Sequence, residues 1–220
     1  MSPASAPDEL DGIILAGGRA ERLGGASKPD LVIGGRSLLS TAIEAARAAG
    51  CERIIVVGPP ELDAPGCTVV RESPPFGGPV AAVAAGLAAL PSAGRGAPGE
   101  AGRVSRPDHG DLLVLACDMP DAADAVRRLL AALPGAGAGD GVCLVDGDGR
   151  RQWLAAIYSR SSLERAVGEL AAESGVAGAS MRRLAASLDL ASVADGGSTH
   201  DIDTWSDLER ARSTEQEATQ

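Results

Sequence analysis

The chain has 220 residues, of which 45% are hydrophobic, and a formal charge of −10 at neutral pH. This length and hydrophobic content are sufficient for one globular domain with its own core. The negative charge argues against a nucleic-acid partner, because proteins that bind such polyanions present a basic face. The aromatic residues are few, so stacking of bases on aromatic side chains is not expected; they are Phe76, Trp153, Tyr158 and Trp205.

The ends of the chain and its cysteines indicate the cellular compartment in which the protein is expected. Residues 1–9 are polar and contain no apolar stretch of the kind found in a signal peptide or membrane span. We expect residues 1–9 and 214–220 to be disordered tails, residues 10–213 to form one domain, and the protein to be cytoplasmic without a membrane partner. The four cysteines are widely spaced, with no C-x-x-C pair, which favours reduced, buried thiols.

Short apolar runs alternate with alanine-rich segments through residue 133. The predicted strands are 13–16, 31–33, 54–57, 68–71 and 112–117, and the predicted helices are 37–49, 79–90 and 121–133. Residues 91–110 are rich in Gly, Pro, Ser and Arg, so we expect a mobile surface insertion there. The alternation is typical of an α/β fold with a mostly parallel sheet and helices on both faces.

The remainder of the chain adds a hairpin and more helices. Residues 142–145 and 153–158 flank a D-G-D-G turn signal and are predicted to pair antiparallel. Helices are predicted at 161–172, 180–186 and 204–212, and a strand at 188–193. The fold prediction is a single three-layer α/β/α domain, Rossmann-like, whose mostly parallel sheet has a small antiparallel portion.

A glycine loop follows the first strand. Gly17 and Gly18 end the apolar run, and Arg22 and Lys28 follow; Lys28 is the only lysine in the chain. Backbone N–H groups and cations in such a loop favour a phosphate ligand. The loop matches neither G-x-G-x-x-G nor the P-loop, in which Ser or Thr follows the lysine, because Pro29 follows Lys28.

Acidic residues follow other predicted elements. Asp118 directly follows the strand at 112–117, and a carboxylate there is costly unless it is hydrogen-bonded or bound to a cation; the alternative is a cap for the next helix. Gly17, Glu72 and Asp118 all fall at carboxyl ends of predicted strands, where α/β sheets bind ligands. Thr204 and Asp207 form a capping box, so Asp203 is interpreted either as local helix-start structure or as a functional acid.

The pattern L-A-G-G-x-x-x-R-L-G-G-x-x-K at 15–28 resembles the nucleotidyltransferase signature of the molybdenum cofactor guanylyltransferase family. D-x-P at 118–120 and D-I-D-T at 201–204 continue the resemblance, and Ala20, Ser27 and Trp205 depart from it. The resemblance implies a fold like that of nucleotide-diphospho-sugar transferases. It also implies a set of nucleotide-binding residues: Leu15, Ala16, Gly17, Gly18, Arg22, Lys28, Glu72, Gly78, Pro79 and Asp118.

The same resemblance implies a reaction. Arg22, Lys28 and Asp118 would be catalytic, and Asp118 and Asp203 would hold Mg²⁺. GMP would pass from GTP to a phosphorylated small molecule, with molybdopterin as the leading acceptor, and cofactor-biosynthesis or acceptor enzymes are the implied protein partners. The segment at 151–154 would face the second substrate. Two alternatives remain open. One is the same chemistry on another acceptor, such as a phospholactate or a sugar phosphate, or a cytidylyl transfer. The other is a regulatory protein that binds nucleotide without turnover.

Overall fold

The structure is a computed structural model that describes residues 9–17, 28–91, 110–133, 137, 139–202 and 204–218, the last five by backbone alone. Strands within these residues are β1 Leu10–Leu15, β2 Val32–Ile33, β3 Arg36–Ser37, β4 Ile54–Val57, β5 Thr68–Val70, β6 Asp111–Ala116, β7 Gly141–Val145, β8 Arg151–Ser159 and β9 Leu190–Ala194. The α-helices are α1 Leu38–Ala48, α2 Pro79–Ala89, α3 Ala122–Ala132, α4 Arg160–Ser174, α5 Met181–Leu184 and α6 Trp205–Ala218.

One sheet organises the described residues, with seven strands in the order β5-β4-β1-β6-β8-β7-β9. The strands β5, β4, β1 and β6 are parallel to their neighbours. Strand β8 runs antiparallel to both β6 and β7, whereas β7 and β9 are parallel. The predicted mostly parallel sheet with a small antiparallel portion is therefore confirmed.

Both faces of the central strand β1 are buried, because helices cover the sheet on either side. Ile14 belongs to the cluster that packs against α1 and α3. Ile13 and Leu15 belong to the cluster that packs against α2, α4 and α5. Successive side chains of a strand point to opposite faces, so a continuous apolar run is needed to fill both layers. This arrangement is the predicted three-layer α/β/α domain.

Two helical glycines give a matched test of this packing. A Cβ on Gly86 of α2 would lie 2.8 Å from two carbons of Ile13, whereas a Cβ on Gly168 of α4 would meet nothing within 4 Å. Both Gly→Ala changes gain about 0.5–1 kcal/mol of helix preference, but only the first adds overpacking, which costs about 1–3 kcal/mol. We expect urea denaturation to show Gly168→Ala as the more stable variant. Equal free energies of unfolding would show that Ile13 moves aside without cost.

The amino ends of the parallel strands are held by the buried side chain of Arg160. Its guanidinium lies 3.6 Å from the Asp11 carboxylate and donates to the carbonyl of Pro91 at 2.6 Å. Its backbone N–H donates to the carbonyl of Gly110 at 3.2 Å. Pro91 and Gly110 are the first and last residues of the insertion predicted at 91–110, and residues 92–109 lie outside the described residues. Both flanks of that segment are therefore fixed at this edge of the sheet.

Several predicted boundaries needed correction. The segment predicted as one helix at 180–186 is the four-residue α5 followed by a 3₁₀ turn at Ala185–Ser187. Thr204 and Asp207 form the predicted capping box, since the Asp207 carboxylate accepts from the Thr204 N–H at 2.9 Å and the Thr204 hydroxyl accepts from the Asp207 N–H at 3.2 Å. Helix α6 then runs to Ala218, so residues 214–218 are helical and not a tail.

All four cysteines are free thiols, as predicted, but they differ in burial. Cys117 and Cys143 are buried, whereas Cys51 and Cys67 are half-buried. Burial, with a smaller contribution from the nearby Asp11 carboxylate, raises the pKa of Cys51 to about 12. This thiol therefore stays protonated at neutral pH.

None of the helices in the described ranges is long and apolar enough to cross a membrane.

Candidate functional site

A cavity of about 570 Å³ opens at the carboxyl ends of β1 and β6. Many of the residues predicted for nucleotide binding lie in its wall: Leu15, Gly17, Lys28, Glu72, Gly78, Pro79 and Asp118. Ala16 is buried and does not line the cavity; its N–H donates to the carbonyl of Val57 at 2.8 Å. Gly18, Arg22 and Asp203 lie outside the described residues. The structure therefore brings residues from four separate segments together at the predicted edge of the sheet.

Lys28 and Asp118 form the charged centre of the cavity. The ammonium of Lys28 lies 3.1 Å from the Asp118 carboxylate, although the two residues are 90 positions apart. Their side chains are 23% and 20% exposed, so both remain accessible to a ligand. The Asp118 carbonyl accepts from the N–H of Ile202 at 3.1 Å. A cation beside a carboxylate in an accessible cavity is suited to an anionic ligand and its counter-ion.

The helix-cap alternative for Asp118 does not agree with this geometry. The N-cap residue of α3 is Asp121, whose side chain makes no capping hydrogen bond. Asp118 lies three positions before that cap and directs its carboxylate to Lys28. The structure therefore gives Asp118 an ion-pair partner in the cavity and gives the cap position to another residue.

The loop from Glu72 to Pro79 forms a second wall. Glu72 is 8% exposed, and its carboxylate accepts from the N–H of Phe76 at 2.9 Å. Gly78 has φ 87°, and a Cβ there would meet no atom closer than 3.9 Å, so the backbone angle rather than crowding favours glycine. Pro79 begins α2, and the partial positive charge of this helix N-terminus is next to the cavity. The wall combines a buried acid with a helix end that attracts anions.

Sequence reasoning missed Phe76, which lines the cavity, whereas Leu154, which also lines it, belongs to the segment at 151–154 predicted to face the second substrate. Phe76 is 52% exposed and has φ 62°, a left-handed conformation. No sequence signal marks this conformation, because a bulky residue is rare there. The only available signal was proximity to the glycines that follow it.

Leu154 enters the cavity because β8 bulges. Cys143 of β7 pairs with Ala156, but the next residue, Leu144, pairs with Gln152. Three residues of β8, 153–155, therefore have no partner on β7. The buried Tyr158 hydroxyl donates to the carbonyl of Trp153 at 2.7 Å. This hydrogen bond ties the bulge to the sheet and fixes the strand segment that presents Leu154.

Other residues of the segment at 151–154 make local contacts. The Arg151 guanidinium carbon lies 5.5 Å from the centre of the Trp153 ring. The Gln152 amide donates to the Asp146 carboxylate at 2.8 Å, within the predicted D-G-D-G turn. Of these residues, Leu154 is the one that lines the cavity.

The wall residues follow the order of the strands across the sheet. The loop of Glu72 and Phe76 follows β5, Gly17 follows β1, Asp118 follows β6, and Leu154 belongs to β8. The cavity thus has an acidic and aromatic end, a charged centre and an apolar end. Within the described residues, no three His, Cys, Asp or Glu side chains converge as a metal site. An elongated ligand with an anionic group beside Lys28 fits this order of groups.

Residues 12–191 match the family model described as MobA-like NTP transferase domain. Because this match covers most of the chain, the chain belongs to that family, and its class is that of the nucleotidyltransferases. The resemblance seen in the glycine loop and in D-x-P is therefore confirmed at the level of the family.

Individual relatives agree with this assignment. The chain is 41% identical over 88 residues to a molybdenum cofactor guanylyltransferase of Bradyrhizobium sp. strain ORS 278. The match covers 38% of this chain and 41% of that protein, so it spans less than half of the relative.

Solved structures share the fold over nearly the whole chain. Molybdopterin-guanine dinucleotide biosynthesis protein A from Archaeoglobus fulgidus superposes with a TM-score of 0.66 at 17% identity, covering 94% of this chain and 99% of that one. For 2-C-methyl-D-erythritol 4-phosphate cytidylyltransferase from Thermus thermophilus the TM-score is 0.64 at 18% identity, with 94% and 99% covered. At these identities the likeness shows the fold alone. It confirms the predicted relation to the nucleotide-diphospho-sugar transferase fold.

Proposed function

We propose that this chain transfers GMP from GTP to a phosphate group of molybdopterin or the molybdenum cofactor and releases pyrophosphate. The observation that carries the proposal is the Lys28–Asp118 pair, 3.1 Å apart in an accessible cavity at the carboxyl edge of the sheet. The name of the Bradyrhizobium relative supports guanylyl transfer to this acceptor. Cofactor-biosynthesis enzymes that supply the acceptor, or acceptor enzymes that receive the product, are the proposed protein partners.

The chemistry requires positioning and charge neutralisation more than proton transfer. An acceptor phosphate oxygen forms a bond to the α-phosphorus, the bond from that phosphorus to the α–β bridging oxygen breaks, and pyrophosphate leaves. The acceptor phosphate is already ionised at neutral pH, since its second pKa is about 6. None of the described residues in the cavity wall is a histidine, which agrees with a reaction that needs no general base. Lys28, with Arg22, would hold the triphosphate.

The residues present fit a magnesium ion that is held largely by substrate. Mg²⁺ is commonly bound by one or two carboxylates, with substrate phosphates and water completing the shell. Asp118 offers one carboxylate in the cavity wall, and Asp203 is the proposed second ligand. The ion would supply positive charge next to the reacting phosphates. Lys28 already lies beside Asp118 and balances part of its charge.

We expect GTP to bind more tightly than ATP, CTP or UTP. The basis is Gly18, which in L-A-G-G accompanies guanine in related enzymes, together with the described backbone at 15–17 and 72–79. Isothermal titration calorimetry with magnesium and each of the four triphosphates tests the selectivity. Equal affinities for all four would contradict guanine recognition.

A second candidate is the same transfer on another acceptor, including cytidylyl transfer. The shared fold with the Thermus thermophilus cytidylyltransferase favours it. Measuring pyrophosphate release with each triphosphate against molybdopterin, a phospholactate and sugar phosphates separates these acceptors. Nucleotide binding without pyrophosphate release on any acceptor would support the regulatory alternative.

A further inference from the structure

We propose that Phe76, supported by Arg71, is the surface on which the nucleobase stacks, on the cavity wall formed by the loop after β5. The proposal rests on the proposed function in one respect, namely that the ligand is a nucleoside triphosphate. It replaces the expectation, drawn from the scarcity of aromatic residues, that bases would not stack on this chain.

The first observation is the exposure of the ring inside a cavity. Phe76 is 52% exposed and lines the cavity wall. Ligand cavities are commonly lined by apolar and aromatic side chains. The guanidinium carbon of Arg71 lies 5.5 Å from the centre of the Phe76 ring. This cation–π contact restrains the orientation of the ring before a ligand arrives.

The second observation is the backbone of Phe76. Its φ of 62° is left-handed, a conformation that glycine adopts freely and a bulky residue adopts at a cost. The Glu72 carboxylate holds it by accepting from the Phe76 N–H at 2.9 Å. Glycine occupies the next two positions, yet a phenylalanine occupies this one. A side chain kept in a costly conformation beside a ligand cavity indicates that the ring has a use there.

The third observation is the position of the loop along the sheet edge. The Phe76 loop leaves β5 and reaches the end of β1, because the Glu72 carboxylate oxygen that accepts from the Phe76 N–H lies 3.9 Å from where a Cβ of Gly17 would be. Lys28 and Asp118 meet at the end of β6, the next strand of the sheet. A nucleotide whose phosphates contact Lys28 therefore has room to extend its base toward Phe76. Leu154 lies on the other side of Asp118, on β8. The acceptor would approach from that side, so the aromatic end is left for the base.

Two variants of Phe76 separate the ring from the backbone. Phe76→Asn removes the ring and tolerates a left-handed φ, whereas Phe76→Tyr keeps the ring. Base–aromatic stacking is worth about 1–3 kcal/mol per base, which corresponds to roughly a fivefold to 150-fold change in affinity. In calorimetry with magnesium, we expect Phe76→Asn to lose that much affinity for GTP and Phe76→Tyr to bind GTP like the wild type. Inorganic tripolyphosphate, which has no base, should bind all three proteins equally.

Controls distinguish stacking from damage to the fold. Val32→Ala removes another exposed apolar side chain, on β2, and should leave both affinities unchanged. The melting temperature of Phe76→Asn should equal or exceed that of the wild type, since the left-handed strain is relieved. Wild-type affinity of Phe76→Asn for GTP would overturn the proposal, and so would an equal loss for tripolyphosphate. A raised KM for the acceptor with unchanged GTP affinity would also overturn it, because the ring would then hold the acceptor.

The proposed function and this inference fail separately. If GTP affinity depends on Phe76 but the wild-type protein transfers no nucleotide to any acceptor, stacking is supported and the transfer reaction is contradicted. If the wild type transfers GMP and Phe76→Asn binds GTP normally, the reaction is supported and stacking is contradicted.

Discussion

Asp118→Asn is expected to lower turnover by at least about a hundredfold, because the proposed metal site loses its anionic ligand where the transition state needs charge neutralised. The change keeps the size of the side chain. The side chains of the ion pair with Lys28 are about one-fifth exposed, and the asparagine oxygen can still accept a hydrogen bond from the ammonium. We therefore expect the melting temperature to change by only a few degrees. Pyrophosphate release gives the turnover and thermal unfolding gives the melting temperature, both measured on the same preparation.

Asp121→Asn is the matched control for this variant. It makes the same chemical change three residues later, at the N-cap of α3, where the native side chain makes no capping hydrogen bond. Its turnover should match that of the wild-type protein. A folded Asp118→Asn protein with full activity would remove Asp118 from the reaction and return it to a structural role.

Lys28→Met is expected to weaken GTP binding and to lower turnover by about 10²–10³, the usual effect of losing one preorganised electrostatic contact. The substitution keeps much of the length of the side chain and removes its charge. Lys28→Arg restores the charge without the compact ammonium, so its activity should fall between those of Lys28→Met and the wild type. Calorimetry for GTP affinity and pyrophosphate release for kcat separate the binding and turnover effects.

A double variant tests whether Lys28 acts on the substrate or only on Asp118. If Lys28 were only the counter-ion of Asp118, the Lys28→Met and Asp118→Asn changes together would regain nucleotide affinity, because neither charge would be left unpaired. We expect instead that the double variant binds GTP no better than Lys28→Met alone. Restored affinity would contradict a role for Lys28 on the triphosphate.

The sequence predicted the sheet well because the central strands β1, β4 and β6 each contain a continuous apolar run. The strand Ile54–Val57 has its predicted bounds. The strand Leu10–Leu15 begins three residues before the predicted start and ends one residue before the predicted end at residue 16. Carboxyl ends of parallel strands must meet at one edge, so Gly17, Glu72 and Asp118 were expected together. The cavity wall contains all three.

Other features depend on information that the local sequence does not carry. The contact between Lys28 and Asp118 joins residues 90 positions apart, and its geometry depends on the assembled sheet. The bulge that presents Leu154 depends on how β8 pairs with two neighbours at once. The extension of α6 was missed for a different reason: its polar residues were interpreted as a tail, although Glu, Gln and Ala are good helix formers on an exposed face.

The most direct test of the account follows the phosphorus atoms of GTP. The protein is incubated with magnesium, molybdopterin and GTP that carries ³²P at either the α or the γ position. Attack on the α-phosphorus predicts that the α label appears in the acceptor product and that the γ label appears in pyrophosphate. Without the acceptor, neither the labelled acceptor product nor labelled pyrophosphate should form. Transfer of the γ label to the acceptor, or release of the γ label as inorganic phosphate, would contradict nucleotidyl transfer.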